Sequence, residues 1–225
     1  MDLFSFGESK RNALLLFPMP SILDTLFGDL PLDHWTGDPT APPWSSFAAA
    51  RDALARNDAP AARAKLESVL GTPGLESRHY AQAWHVLRKL GVKPPAAEEK
   101  RVFGVVLEVS LDQGLDVLAA YEDRAARYFN FSGAGIVWDR PNPSLDAHVD
   151  AVLAAARVIA PRIGPWTQPR RPPPPKGHVR LNMLTPAGLC LGEGPLAVLA
   201  KDPMGGPLVS AGTRLMQRLV EQKKR

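Results

Sequence analysis

The spacing of apolar positions changes once along the chain, near residue 93, from a helical to a strand period. Tyr80, Ala83, Trp84 and Leu87 stand at i, i+3, i+4 and i+7, which predicts a helix over about residues 76–90 with one core-facing stripe, ended by Gly91. Two more helices are predicted before it. SSFAAARDALARN (45–57) has Ser45 or Ser46 as its cap, and Asp58 caps the next, with Pro60 near its start and Gly71 past its end. Lys93-Pro94-Pro95 then breaks helix, because proline disfavours helical backbone in the residue before it. Beyond it, VFGVVLEVS (102–110), LDVLAAYE (115–122) and ARYFNFS (126–132) are short, rich in β-branched and aromatic residues, and separated by turn residues such as Asp112, Gln113 and Gly114. Connections this short demand antiparallel neighbours. SLDAHVDAVLAAARVIA (144–160) predicts an amphipathic helix with Ser144 as N-cap and Pro161 past its end. A last helix over about 208–222 has Lys223, Lys224 and Arg225 at the negative end of its dipole.

Two blocks look alike. RYFNFSGAGIVW (127–138) and RLNMLTPAGLCL (180–191) each run from an arginine through apolar residues to an Ala-Gly pair and a further apolar triplet. They predict two equivalent hairpins of one sheet, with Cys190 matching Val137, the basic proline segment crossing between them, and a Gly- and Pro-rich loop over 192–207. The fold class is therefore α+β. Residues 1–43 form an irregular Pro-rich segment packed on the core, in which SILDTLFGDL (21–30) makes a two-turn helix with Ser21 as cap and Gly28 near its end. Residues 44–92 form a small helical bundle, 93–101 a linker, and 102–225 an antiparallel sheet of five or six strands with two helices on one face. That topology is comparable to the profilin, longin and roadblock class, as a fold-level analogy.

The run LARNDAPAARAKLESVL (54–70), with its tight polar turn, resembles the middle of a tetratricopeptide helical hairpin, and the likeness extends at most over residues 46–90. It covers little more than one repeat, whereas a stable array normally needs at least three. The expectation is a small bundle packed against the second half, and the resemblance implies a protein-binding role.

Composition adds compartment and charge. The 225 residues are 45% hydrophobic and 22% charged, which is ordinary for a folded protein, and the 23 prolines fall mostly between elements as punctuation. The apolar run ALLLF (13–17) stops at Pro18, short of the ~7–15 residues of a secretory core, and no stretch approaches the ~18 apolar residues of a membrane span. Cys190, the one cysteine, has no internal disulfide partner and fits a reducing cytoplasm as a small buried hydrophobe. Residues 1–50 hold two basic and six acidic residues, a net −4; the whole chain carries +4, so the rest carries +8. The sharpest block is 151–192, with Arg157, Arg162, Arg170, Arg171, Lys176 and Arg180 and no acid.

No chemical motif stands out. GLCLGEG (188–194) does not match a phosphate loop and lacks its lysine; no cofactor is expected. His34, His79, His85, His148 and His178 are dispersed without the i, i+4 spacing of a zinc helix, so no metal is expected. G-x-S-x-G is absent, and Cys190 has only His178 across its own hairpin. Asp146 and Asp150 share a helix face near its N-terminus, where the dipole explains them. Tyr128, Phe129 and Phe131 offer stacking surfaces for nucleic acid, but period two puts Tyr128 and the phenylalanines on opposite faces.

The most distinctive segment is the proline run. Pro172, Pro173, Pro174 and Pro175 predict a polyproline II stretch, flanked by Arg170, Arg171 and Lys176 with Trp166 upstream. These eight residues are the candidate partner-binding element; the competing reading is a stiff connector across a sheet edge. The function expected is that of a non-catalytic cytoplasmic adaptor or assembly subunit that binds another protein, with an acidic surface as the suited contact. One alternative is a small hydrolase-type enzyme assembled from distant residues such as Glu108, Tyr121, His148, His178 and Cys190. The other is a nucleic-acid accessory protein using the 151–192 block.

Overall fold

The computed structural model describes residues 22–34, 37–139 and 142–223; the apolar cluster at 13–17, the Ser21 cap and the last two basic residues lie outside these. Helix α1 (Ile22–Phe27) ends at Gly28, which has φ +64 and approaches α4 so closely that a Cβ would stand 3.0 Å from the Ala81 Cβ. Only glycine combines that φ with that approach. Helices α2 (Trp44–Ala55), α3 (Ala59–Gly71) and α4 (Ser77–Lys89) follow. Asp58 caps α3 as expected, its Oδ1 accepting from the Ala61 amide at 3.0 Å. The cap of α2 differs from the expectation. Pro43 holds that position without a side-chain bond, its carbonyl accepting from Ser46 and Phe47, so Ser45 and Ser46 fall inside the first turn.

The sheet has six strands: β1 (Gly104–Leu111), β2 (Gly114–Tyr121), β3 (Ala126–Phe129), β4 (Gly135–Trp138), β5 (His178–Thr185) and β6 (Gly188–Pro195). Their order is β4-β3-β2-β1-β5-β6, and every pairing is antiparallel. Alternation decides what each face does. Val105, Leu107, Leu118, Ala120, Val179, Leu181, Met183 and Cys190 point one way and bury themselves under α5 (Asp146–Ile159) and α7 (Gly205–Lys223). Val106, Val117, Ala119, Tyr121 and Leu184 point the other way, against Leu26 and Phe27 of α1. Two helices therefore cover one face, as expected, and the N-terminal segment covers part of the second. The bundle core of Phe47, Leu66, Trp84 and Leu87 receives Phe103, just before β1.

Three further boundaries are corrected. Asn142, not Ser144, caps the approach to α5, accepting from the Ser144 amide at 3.0 Å ahead of a short 3-10 turn. The expected loop over 192–207 is instead the end of β6, a one-turn helix α6 (Leu196–Leu199), and the first residues of α7. Asp202 caps α7 by accepting from Met204 and Gly205, so the helix starts at 205 and not 208. Finally, the two similar blocks are hairpins of one sheet, but Cys190 and Val137 are not equivalent: Cys190 is fully buried and Val137 is 57% exposed. Five residues separate the paired ends Phe129 and Gly135, and two separate Thr185 and Gly188, so matched positions after the turns face opposite ways.

Candidate functional site

The proline-rich connector carries the chain from the end of α5 around the outer edge of β6 to the opposite face of the sheet. Trp166 donates its amide to the Leu189 carbonyl at 2.6 Å, forming a one-residue bridge along that edge. The residue is 38% exposed and its indole N–H donates to the Pro169 carbonyl at 3.0 Å. Past the edge, the Arg170 guanidinium lies 4.5 Å from the Phe27 ring centroid and pairs with Asp24 and, at 3.5 Å, with Asp29. Arg171 reaches Glu193 at 3.3 Å; Pro172, Pro173 and Pro175 are exposed, whereas Pro174 is buried. Lys176 and Asp112 form an exposed pair at 3.1 Å.

Beneath the connector lies a polar network. Arg180 and Glu108, each 2% exposed at the side chain, pair at 3.2 Å, and Glu193 receives Arg180 at 2.7 Å. Asn182 donates to the Glu108 carboxylate at 3.0 Å, and the Arg171 carbonyl accepts from Arg180 at 3.3 Å. These bonds tie β1, β5, β6 and the connector into one unit. Most of the charge of the 151–192 block is met by acids from outside it, which pair with Arg157, Arg170, Arg171, Lys176 and Arg180.

One open cleft, of about 490 Å³, gathers side chains from four elements. Trp166 and Arg170 form the connector wall. His85, Arg88 and Lys89 from the last turns of α4 form the opposite wall, Gly188 and Leu189 of β6 line the base, and Asp29 follows α1. A narrower cavity of about 60 Å³ shares Asp29, His85, Arg88, Gly188 and Leu189 with it. Gly188 holds φ +133 and leaves space for Arg88, whose Nε would lie 3.8 Å from a Cβ there. Arg88 donates from Nη1 to the Pro186 carbonyl at 2.8 Å and has no carboxylate partner among the described residues.

Burial sets the electrostatics of this cleft. It lowers the Arg88 guanidinium to about 10. Burial also lowers His85 to about 4, reinforced by the positive charges of Lys89, Arg88 and Arg170. Asp29 is raised to about 6, because loss of solvation outweighs its attraction to Arg170.

The residues considered for catalysis lie elsewhere. Cys190 stands opposite Met183, while His178 stands opposite Pro195 at the far end of the same hairpin, so the two do not meet. Burial pushes the Cys190 thiol upward. The Tyr121 hydroxyl donates to the Leu26 carbonyl and is likewise pushed upward by burial; Glu108 is tied to Arg180. His148 sits on α5, and none of these five lines the cleft. Among the described residues, no group of three His, Cys, Asp or Glu side chains is arranged to hold a metal ion. Of the aromatic trio, Tyr128 packs on the α5/α7 face and Phe129 on the α1 face, while Phe131 is 47% exposed.

Of the expected partner-binding residues, the structure brings Trp166 and Arg170 into the cleft and leaves Lys176 away from it. Asp29, His85, Arg88 and Lys89 were not singled out from the chain. The i, i+3 spacing of His85 and Arg88, beside the stripe of Trp84 and Leu87, is the signal that marks half of the site. No protein-family model matches the chain, and neither does any curated protein or solved structure.

Proposed function

We propose that this chain is a non-catalytic interaction protein, an adaptor or assembly subunit, whose cleft beside the connector receives an acidic segment of a partner protein. The observation that supports it is Arg88, a partly buried cation that faces the open cleft and makes no ion pair among the described residues. A buried charge without a counter-charge is costly, and a carboxylate from a partner relieves that cost. Lys89 adds positive charge, and Trp166 and Leu189 offer apolar walls of the kind found at interaction hot spots. The reading places the protein in the cytoplasm, in keeping with its buried, unpaired Cys190. No helix among the described residues is long and apolar enough to cross a membrane.

The test uses the tagged full chain and an Arg88→Gln, Lys89→Glu variant in parallel to capture proteins from the native cell. The expected result is a protein held by the parent chain and retained about tenfold less by the variant, a loss of about 1.4 kcal/mol. Its acidic segment, made as a peptide, then binds the parent chain alone. Finding no protein that distinguishes the two chains overturns the reading.

A second reading, a small hydrolase-type enzyme, draws on Asp29 and His85, whose proton affinities are pushed in opposite directions within one cleft, as in acid–base sites. Under it, hydrolysis of a nitrophenyl ester panel falls sharply in both Asp29→Asn and His85→Gln; turnover that neither change alters removes it.

A further inference from the structure

On the opposite face of the sheet, α7 touches β1 at Gly212, where a Cβ would come within 2.8 Å of Leu107 Cδ2. Beside that contact an apolar pocket of about 210 Å³ opens between helix and sheet. Its floor is Val109, Leu118 and Val179, its helix wall Val209 and Met216, and Thr213 stands exposed at its mouth. A dry cavity of ~150 Å³ lined by such side chains is already large enough for benzene.

The carboxylate of Asp116 breaks the apolar lining, together with the hydroxyls of Tyr128 and Thr213. Asp116 lies half-buried on the same side of β2 as Leu118, its Oδ1 accepting from the Phe131 amide at 2.9 Å and its Oδ2 from the Tyr128 hydroxyl at 2.7 Å. Each carboxylate oxygen has a second acceptor position, and no cation pairs with Asp116 among the described residues. Tyr128 stays a donor throughout the physiological range, since burial and then its bond to Asp116 raise it to about 12.

We propose that this pocket is a binding site for a small primary amine with a compact apolar body, the ring or branched chain filling the space between β1 and α7 and the ammonium bonding to Asp116. A hydrocarbon alone leaves the carboxylate without a counter-charge, and an anionic ligand is repelled by it. The pocket shares no residue with the cleft beside the connector, so this assignment stands or falls independently of the proposed partner site.

Methyl-detected NMR of the full chain, titrated with phenethylamine, 2-phenylethanol and phenylacetate, tests it. The amine is expected to shift the Val109, Val179 and Met216 methyls saturably. The neutral alcohol should bind about tenfold more weakly, since a charge-assisted bond is roughly twice as strong as a neutral one, and phenylacetate more weakly still. Thr213→Trp, at an exposed position, plugs the mouth and abolishes the shifts, and Asp116→Asn removes the amine's advantage over the alcohol. No saturable shift with the amine, equal affinity for amine and alcohol, or shifts unaltered by Thr213→Trp overturns the proposal. If Asp116→Asn fails to fold, the ligand series and Thr213→Trp decide it.

Discussion

Arg180 is 2% exposed, yet it holds two carboxylates, Glu108 and Glu193, at 3.2 and 2.7 Å. Replacing it with methionine keeps much of its volume, leaves Glu108 without a cation among the described residues, and leaves Glu193 only Arg171 at 3.3 Å. The expected loss is ~3–5 kcal/mol, the range for breaking a buried pair by removing one partner, read from urea unfolding. A loss within ~0.5 kcal/mol would show that the network carries no net charge interaction. His85 and Asp29 govern pH dependence, with opposite signs. An unfolded His85 charges near 6.5 and the folded one only near 4, so its contribution is complete above 6.5 and is lost as pH falls to 4. Asp29 ionises near 3.8 unfolded and about 6 folded, so its contribution is complete below 3.8 and is lost as pH rises to 6. The two slopes oppose each other in the parent chain. His85→Gln should therefore gain stability relative to it as pH falls from 6.5 to 4, by at most about 3 kcal/mol, and an unchanged difference across that window would refute the burial argument. At this scale, the Asp58 cap was legible because the carboxylate and the Ala61 amide it accepts from lie three positions apart. The Arg180 network was not, since its partners come from positions 72 residues before and 13 after it.

Among the elements, the connector shows how one segment serves two roles. The proline run and its basic flank stood out in the chain, and the choice between recognition element and stiff crossing was open there. The structure uses Arg171 and Pro174 to anchor the crossing and turns Trp166 and Arg170 toward the cleft. Changing exposed Pro172 or Pro173 to glycine should cost only about 0.4–1 kcal/mol each, acting through the greater freedom of the unfolded chain. Pro174→Gly adds the loss of a buried ring and should cost visibly more in thermal unfolding; equal costs at the three positions would show that the ring is not packed. Helix and strand types were read from periodicity at nearly every element. The caps of α2 and α5 were not, because Pro43 and Asn142 compete successfully with nearby serines that look better in sequence.

At the scale of the whole molecule, the bundle and the sheet are bound together at several points. Phe103 enters the bundle core, and Ser77 and Asp123 exchange bonds at 2.7 and 3.0 Å. Arg88 adds its bond to the β5–β6 turn. Residues 44–92 and the sheet are therefore expected to unfold in one transition. Helical circular dichroism and tryptophan fluorescence should give coincident urea curves, and an early helical phase would separate the two parts.

The chain by itself determined an antiparallel sheet of five or six strands, the main helices before and after it, and the two hairpins, because these follow from apolar period and turn chemistry within about twenty residues. It did not determine which face each hairpin presents, since a turn shorter by three residues reverses it. Nor did it determine the two candidate sites. The cleft joins α1, α4, the connector and β6, and the apolar pocket joins β1, β2, β5 and α7. Sites of this kind are made where distant segments meet, and only the packing of the sheet's two faces decides which segments those are.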